Sequence, residues 1–276
     1  MLRSILVGLD GSDNGDSALE LAIRWARRSD ALLVGMGCID EPGLHGVEEF
    51  LVGEVYFERL NAELLAEIRA RVQGTLSRAA LRCAEAGVAF KPLEDVGTPH
   101  ARIREEAQRF DLIMLGQKTH FRFGWEGEPD TTLASVLADS PRPVVAVPGE
   151  LGDGESVMVA YDGSLQASRA VAAFRASGLG QGREIRVVSV SEARIDAARR
   201  ADRAVEYLKS HGLDAVADPV ESGRRPADVL LEKIRPQDVG LLVMGAYGQP
   251  ALREFFIGSA TRSMMGRSPV PMFLYH

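Results

Sequence analysis

An internal duplication constrains this chain more than any other feature. Ser4–Leu9 (SILVGL) is a short apolar run stopped by Asp10-Gly11-Ser12, and Val157–Tyr161 (VMVAY) is another, stopped 152 positions later by Asp162-Gly163-Ser164. A helical apolar pattern follows each stop: Ala18, Leu21, Ala22 and Trp25 within 16–28, and Ala167, Ala170, Val171 and Phe174 within 165–177. A second strand-like run comes next in each copy (31–39 and 184–190), with Cys38 and Val190 each 28 residues after their aspartate. The copies diverge over 44–86, where an amphipathic stretch at 55–84 is nearly twice as long as its counterpart at 194–211. They converge again at Val96-Gly97-Thr98-Pro99 and Glu221-Ser222-Gly223-Arg224. Each then shows a short helix (101–108; 227–234), a strand (112–115; 241–244), a Ser-Pro-x-Pro turn at Ser140 or Ser268, and a last strand (144–147; 272–275). Short strands alternating with helices predict parallel sheets with right-handed crossovers and helices on both faces. The expected fold class is α/β: two tandem repeats, each a five-stranded, Rossmann-like parallel sheet. They occupy 1–148 and 156–276, and the Gly- and acid-rich 149–155 reads as a linker.

Composition narrows the partners. A length of 276 residues suits two domains, and 46% hydrophobic with 26% charged residues is an ordinary globular balance. A net charge of −7 argues against a general nucleic-acid or anionic-membrane surface. No run approaches the ~18 apolar residues of a membrane span, and MLRSILVGLDGS reads as a strand and turn rather than a signal peptide. Cys38 and Cys83 fit no metal spacing, so a reduced, cytoplasmic protein is the expectation.

In open parallel sheets, ligands sit outside the carboxyl ends of the strands where strand order reverses. Asp162 ends the first strand of its copy, where a carboxylate can accept from amino or hydroxyl donors. Residues 245–261 (GAYGQPALREFFIGSAT) follow the later run Gly240–Met244 and carry the spacing Gly-x2-Gly-x9-Gly-Ser. Glycines allow positive φ or close approach of backbone to a ligand, and a helix start behind them offers unpaired N–H groups to phosphate. A donor-rich moiety at one end and phosphates at the other describe a nucleotide. Taken alone, Asp162-Gly163-Ser164 reads equally well as a turn with a helix cap.

With these motifs in place, the chain resembles a tandem universal stress protein over essentially all its length. The second copy keeps that family's ATP-binding pattern as Gly245, Gly248, Gly258 and Ser259. The resemblance implies an adenine-nucleotide alpha-hydrolase-like fold and a role in stress response or signalling. It assigns adenine and ribose to Asp162 and the Val190 main chain, and ribose and the first phosphates to Gly245 and Gly248. The outer phosphates fall to Gly258, Ser259 and Thr261, with Mg2+ or Mn2+ held through the phosphates rather than by protein ligands. It further implies that the two last strands pair as an intramolecular pseudo-dimer, open to further pairing as a homodimer, and that a protein partner of unknown identity exists. Tyr247 stands where the family often has histidine, to pack on the ligand or merely cover it.

The first copy departs from the pattern. The offset between copies falls from 129 at Gly116/Gly245 to 128 at Ser140/Ser268, and counting from either end puts Thr119 for Gly248, Asp130 for Gly258 and Thr131 for Ser259. A carboxylate where phosphate oxygens belong is repulsive, so this site is expected to be degenerate. The aromatic loop 120–129, with Phe121, Phe123 and Trp125, is either a plug for the vacated site or a partner contact. No nucleophile elbow, GxxxxGK[ST] loop or paired metal histidines occur, and no cation is fixed at the glycine loop, where Arg253 and Arg262 read as ordinary surface residues. No catalytic residue and no protein-held metal are therefore expected. A slow ATPase or nucleotidyl-transferring enzyme and a nucleotide-free interaction scaffold stand as alternatives.

Overall fold

The computed structural model describes residues 1–40, 54–123, 131–235, 238–246 and 259–276, leaving aside the side chains of 54–62 and 259. By its contacts the chain divides into a unit of residues 3–141 and a unit of residues 1–2 with 142–276.

The 3–141 unit holds β1 (Ser4–Gly8), α1 (Asp13–Ser29), β2 (Leu32–Ile39), α2 (Glu54–Glu85), β3 (Phe90–Val96), α3 (Pro99–Ala107), β4 (Leu112–Gly116) and α4 (Thr132–Asp139). Its strands run parallel in the order β3-β2-β1-β4. The other unit holds β5 (Val144–Val147), β6 (Ser156–Ala160), α5 (Leu165–Ser177), β7 (Ile185–Ser191), α6 (Arg194–Ser210), β8 (Ala215–Glu221), α7 (Pro226–Ile234), β9 (Val239–Gly245), α8 (Ser259–Met265) and β10 (Met272–Tyr275). Its order is β5-β10-β9-β6-β7-β8, parallel except that β5 meets β10 antiparallel, with Val145 opposite Phe273. This is the α/β, mostly parallel architecture that the strand–helix alternation predicts.

The central strands are buried on both faces: Ile5, Leu6 and Val7 in β1, Val157, Met158 and Val159 in β6. Such strands read as continuous apolar runs because helices cover both sides. The helices bury stripes at helical spacing, as in Ile68, Val72, Leu76, Ala79 and Cys83 of α2. Phe174 of α5 meets Phe273 of β10 edge-to-face at 5.9 Å.

The third strand of each repeat is counted among the five that the sequence predicts but is given no position by it. β3 and β8 are terminal strands in their units among the described residues, only partly buried, and carry Pro92 and Pro219. A proline cannot donate to a ladder and demotes a run when sequence is read, yet it is tolerated where one side of the strand has no partner.

Candidate functional site

Both aspartate turns are built the same way. Gly11 and Gly163 take φ of 77° and 82°, which lets the chain turn from strand to helix. Ser12 and Ser164 then cap α1 and α5, each hydroxyl accepting from the backbone N–H three residues on, at 3.1 Å. The aspartates themselves differ. Asp162 is exposed and accepts from Ser164 N at 2.9 Å; no other donor to it is found among the described residues. Asp10 is 1% exposed and is closed in by its own chain.

In the second repeat, a hollow opens at the carboxyl ends of β6, β7 and β9. Ala160, Tyr161 and Asp162 line it on one side, and Pro226 and Leu230 of α7 with Ala260 and Thr261 of α8 on the other. Val188, Val190, Met244 and Gly245 complete it. The Val190 main chain faces this hollow for a reason of register. In a parallel strand, successive residues direct their N–H and C=O to alternate sides. The Val188 carbonyl accepts from Tyr161 N at 2.9 Å, on the β6 side, and the Ser191 carbonyl accepts from Ser222 N at 2.8 Å, on the β8 side. Val190 therefore turns its polar groups toward β6, which has already ended at Ala160.

Gly245 has a packing duty as well as a place in the hollow. A Cβ there would fall 2.6 Å from Ala167 N and 2.7 Å from Gln166 C, so glycine is needed for α5 to pass beneath the end of β9. Gly116 stands likewise against Asn14 of α1. The buried Thr261 hydroxyl donates to the Gly245 carbonyl at 3.2 Å, tying α8 to β9. Arg267, just after α8, donates to Asp228 of α7 at 2.9 Å, which braces the two flanking helices and draws the Asp228 carboxyl below its usual range.

Of the residues singled out from sequence, Asp162, Val190, Gly245 and Thr261 thus meet in one hollow. Ser259 begins α8, with its side chain outside the described set. Gly248, Gly258 and Tyr247 lie outside the described residues, as do Arg253, Trp125 and Asp130. Tyr161, Pro226, Leu230 and Met244 were not anticipated. Met244 directly precedes Gly245 and Pro226 opens a helix at its first position, but neither fact announces a ligand wall.

In the first repeat the spot at the end of β1 is filled by the chain itself, and a hollow lined by Ser12, Arg71, Arg78, His120 and Phe123 opens beside it toward α2. Thr119 Oγ1 and His120 N donate to Asp10 Oδ2 at 3.0 and 2.6 Å, while Ser12 N and Oγ donate to Oδ1 at 3.0 and 2.7 Å. Phe121, 1% exposed, packs over Gly8, where a Cβ would meet its Cζ at 3.1 Å. Gly8 matches Ala160, which in the second repeat lines the open hollow. Cys38, the counterpart of Val190, donates its thiol to the Gly97 carbonyl at 3.3 Å, and burial pushes its pKa up to about 12. Among the described residues no group of His, Cys, Asp or Glu could hold a metal ion, and no helix is long and apolar enough to cross a membrane.

These features define a duplicated α/β protein with a strand-end hollow that the described residues of its second repeat leave open. The model of the universal stress protein family matches residues 1–148 and again 155–276. The chain belongs to the universal stress protein family. It is 23% identical over 298 residues to universal stress protein Slr1230 of Synechocystis sp., covering 99% of this chain and 100% of that protein. A universal stress protein of Thermus aquaticus is 28% identical over 134 residues, 44% of this chain and 97% of its own length. Among solved structures, a universal stress protein of Archaeoglobus fulgidus aligns with a TM-score of 0.73 at 22% identity, over 99% of this chain and 97% of that one.

Proposed function

We propose that the chain is an ATP-binding stress-response or signalling protein with a single nucleotide site, in the second repeat. The observation that carries this reading is the contrast between the two aspartates. Asp10 has both carboxylate oxygens taken by protein donors, whereas Asp162 stands exposed at the lip of an open hollow with one backbone donor among the described residues. A ligand that brings its own N–H or O–H donors to Asp162 would complete in the second repeat what Thr119 and His120 complete in the first. The apolar faces of Val188, Pro226, Leu230 and Met244 suit a flat base, and the outward-facing polar groups of Val190 can read its edge. Gly245 and Thr261 lead toward the phosphates, which Ser259, Gly248 and Gly258 would hold. Mg2+ or Mn2+ would ride on the outer phosphates and neutralise their charge.

The test is nucleotide released on denaturing freshly purified protein, measured beside Asp162→Ala. The expected result is close to one ATP per chain, lost in the variant. Two per chain would overturn the single-site reading. None, even after titration with ATP and Mg2+, would overturn nucleotide binding altogether.

A further inference from the structure

We propose that residues 117–123 act as a built-in ligand of the first repeat, held in place by Arg71 of α2 as a latch. Thr119 and His120 supply Asp10 Oδ2 with one O–H and one N–H donor, the pair that a bound molecule would otherwise bring. Phe121 fills the apolar space at the end of β1. The loop then turns at Phe123, whose φ of 48° is left-handed, a conformation that a residue with a Cβ rarely adopts. That conformation persists only where the surroundings impose it, and two contacts do so here. The Phe123 ring lies over Gly11, where a Cβ would sit 3.5 Å from its Cδ1, and the Phe123 carbonyl accepts from Arg71 Nη1 at 2.6 Å. Arg71 is itself steadied one turn back on α2, where its Nη2 donates to Glu67 at 2.6 Å. A charged donor on a rigid helix thus secures the one strained residue of the plug.

The place at the end of β1 is accordingly kept occupied whatever the nucleotide level, and the Arg71–Phe123 contact is the point at which it would release. This inference does not depend on what the second repeat binds. Arg71 is half exposed on a helix that also holds Ile68, Val72 and Leu76 in the core, so Arg71→Ala should leave the domain folded. The experiment is native-state hydrogen exchange of the full chain, following the His120 amide beside Val7 and Met114 of the neighbouring strands. We expect His120 to be protected in the wild type, and to lose about tenfold or more of that protection in Arg71→Ala while the strand amides hold. An unprotected His120 in the wild type would overturn the plug. Protection that survives the substitution would overturn the latch. A loss shared equally by Val7 and Met114 would show that Arg71 supports the whole domain, and would overturn the latch as well.

Discussion

Asp10 and Asp162 sit in the same tripeptide, at the end of equivalent strands, and should answer very differently to the same substitution. Asp10→Ala strips the acceptor from Thr119 Oγ1, His120 N and both Ser12 donors at a buried site. Buried donors left without an acceptor cost ~1–3 kcal/mol apiece before relaxation, so a loss of roughly 2–4 kcal/mol is expected. Asp162→Ala removes an exposed carboxylate and should move stability by about 0.5 kcal/mol or less. Urea midpoints of the two variants give the comparison, and equal losses would contradict it. Here lies the limit of what sequence offers at this scale. Asp-Gly-Ser, the cap and the positive-φ glycine were legible because they are local. The fate of each carboxylate was not, because Thr119 and His120 reach Asp10 across more than a hundred positions. The cysteines give a second expectation. Burial raises Cys38 from 9.0 to about 12 and Cys83 from 9.0 to about 11, so the folded chain keeps protons that the unfolded chain gives up. Stability contributed by these thiols is therefore intact below pH 9 and falls as pH rises from about 9 toward 12. Replacing both with Ala should flatten that alkaline limb in a pH series of urea titrations.

Most helices and central strands were legible as periodicity. The 55–84 stretch emerges as α2, and the apolar runs stopped by Asp-Gly-Ser emerge as β1 and β6. What periodicity leaves out is how closely two elements approach. Gly245 reads in sequence as the first glycine of a phosphate loop, yet the first turn of α5 crosses directly beneath it. Gly245→Ala would press a methyl group onto Gln166 and Ala167 backbone, and backbone cannot swing aside as a side chain can. We expect a stability loss of about 2 kcal/mol or more, the scale of overpacking in a rigid contact, read from the urea midpoint without nucleotide. A variant as stable as the wild type would return this glycine to a purely ligand-facing role. A parallel test at Gly116 meets Asn14, whose Cβ would lie 2.6 Å from the new methyl and whose backbone C 2.9 Å. The same packing rule therefore accounts for glycine at both strand ends, including the repeat whose site is filled.

If one repeat holds the nucleotide and the other is occupied by its own loop, as we propose, the two units should respond separately to ligand even though one chain carries both. A ligand that binds the folded form stabilises by RT ln(1 + [L]/Kd), about 2.7 kcal/mol at a hundredfold excess over Kd. That energy is felt only by the part of the chain whose opening releases the ligand. With ATP bound where we propose, added protection against hydrogen exchange should fall within 142–276, strongest along β6, β7 and β9, whose ends line the hollow. Strands β1, β2 and β4 should exchange at the same rate with and without nucleotide, because on this proposal Thr119, His120 and Phe121 stand in for a ligand there. In Asp162→Ala the gain in β6, β7 and β9 should vanish and nothing should replace it. In Arg71→Ala the gain should persist unchanged, because the latch concerns the other repeat. If ATP instead slows exchange in β1 and β4 to the same degree, the filled site is not closed to ligand, and the asymmetry argued from Asp10 and Asp162 does not govern what the protein binds.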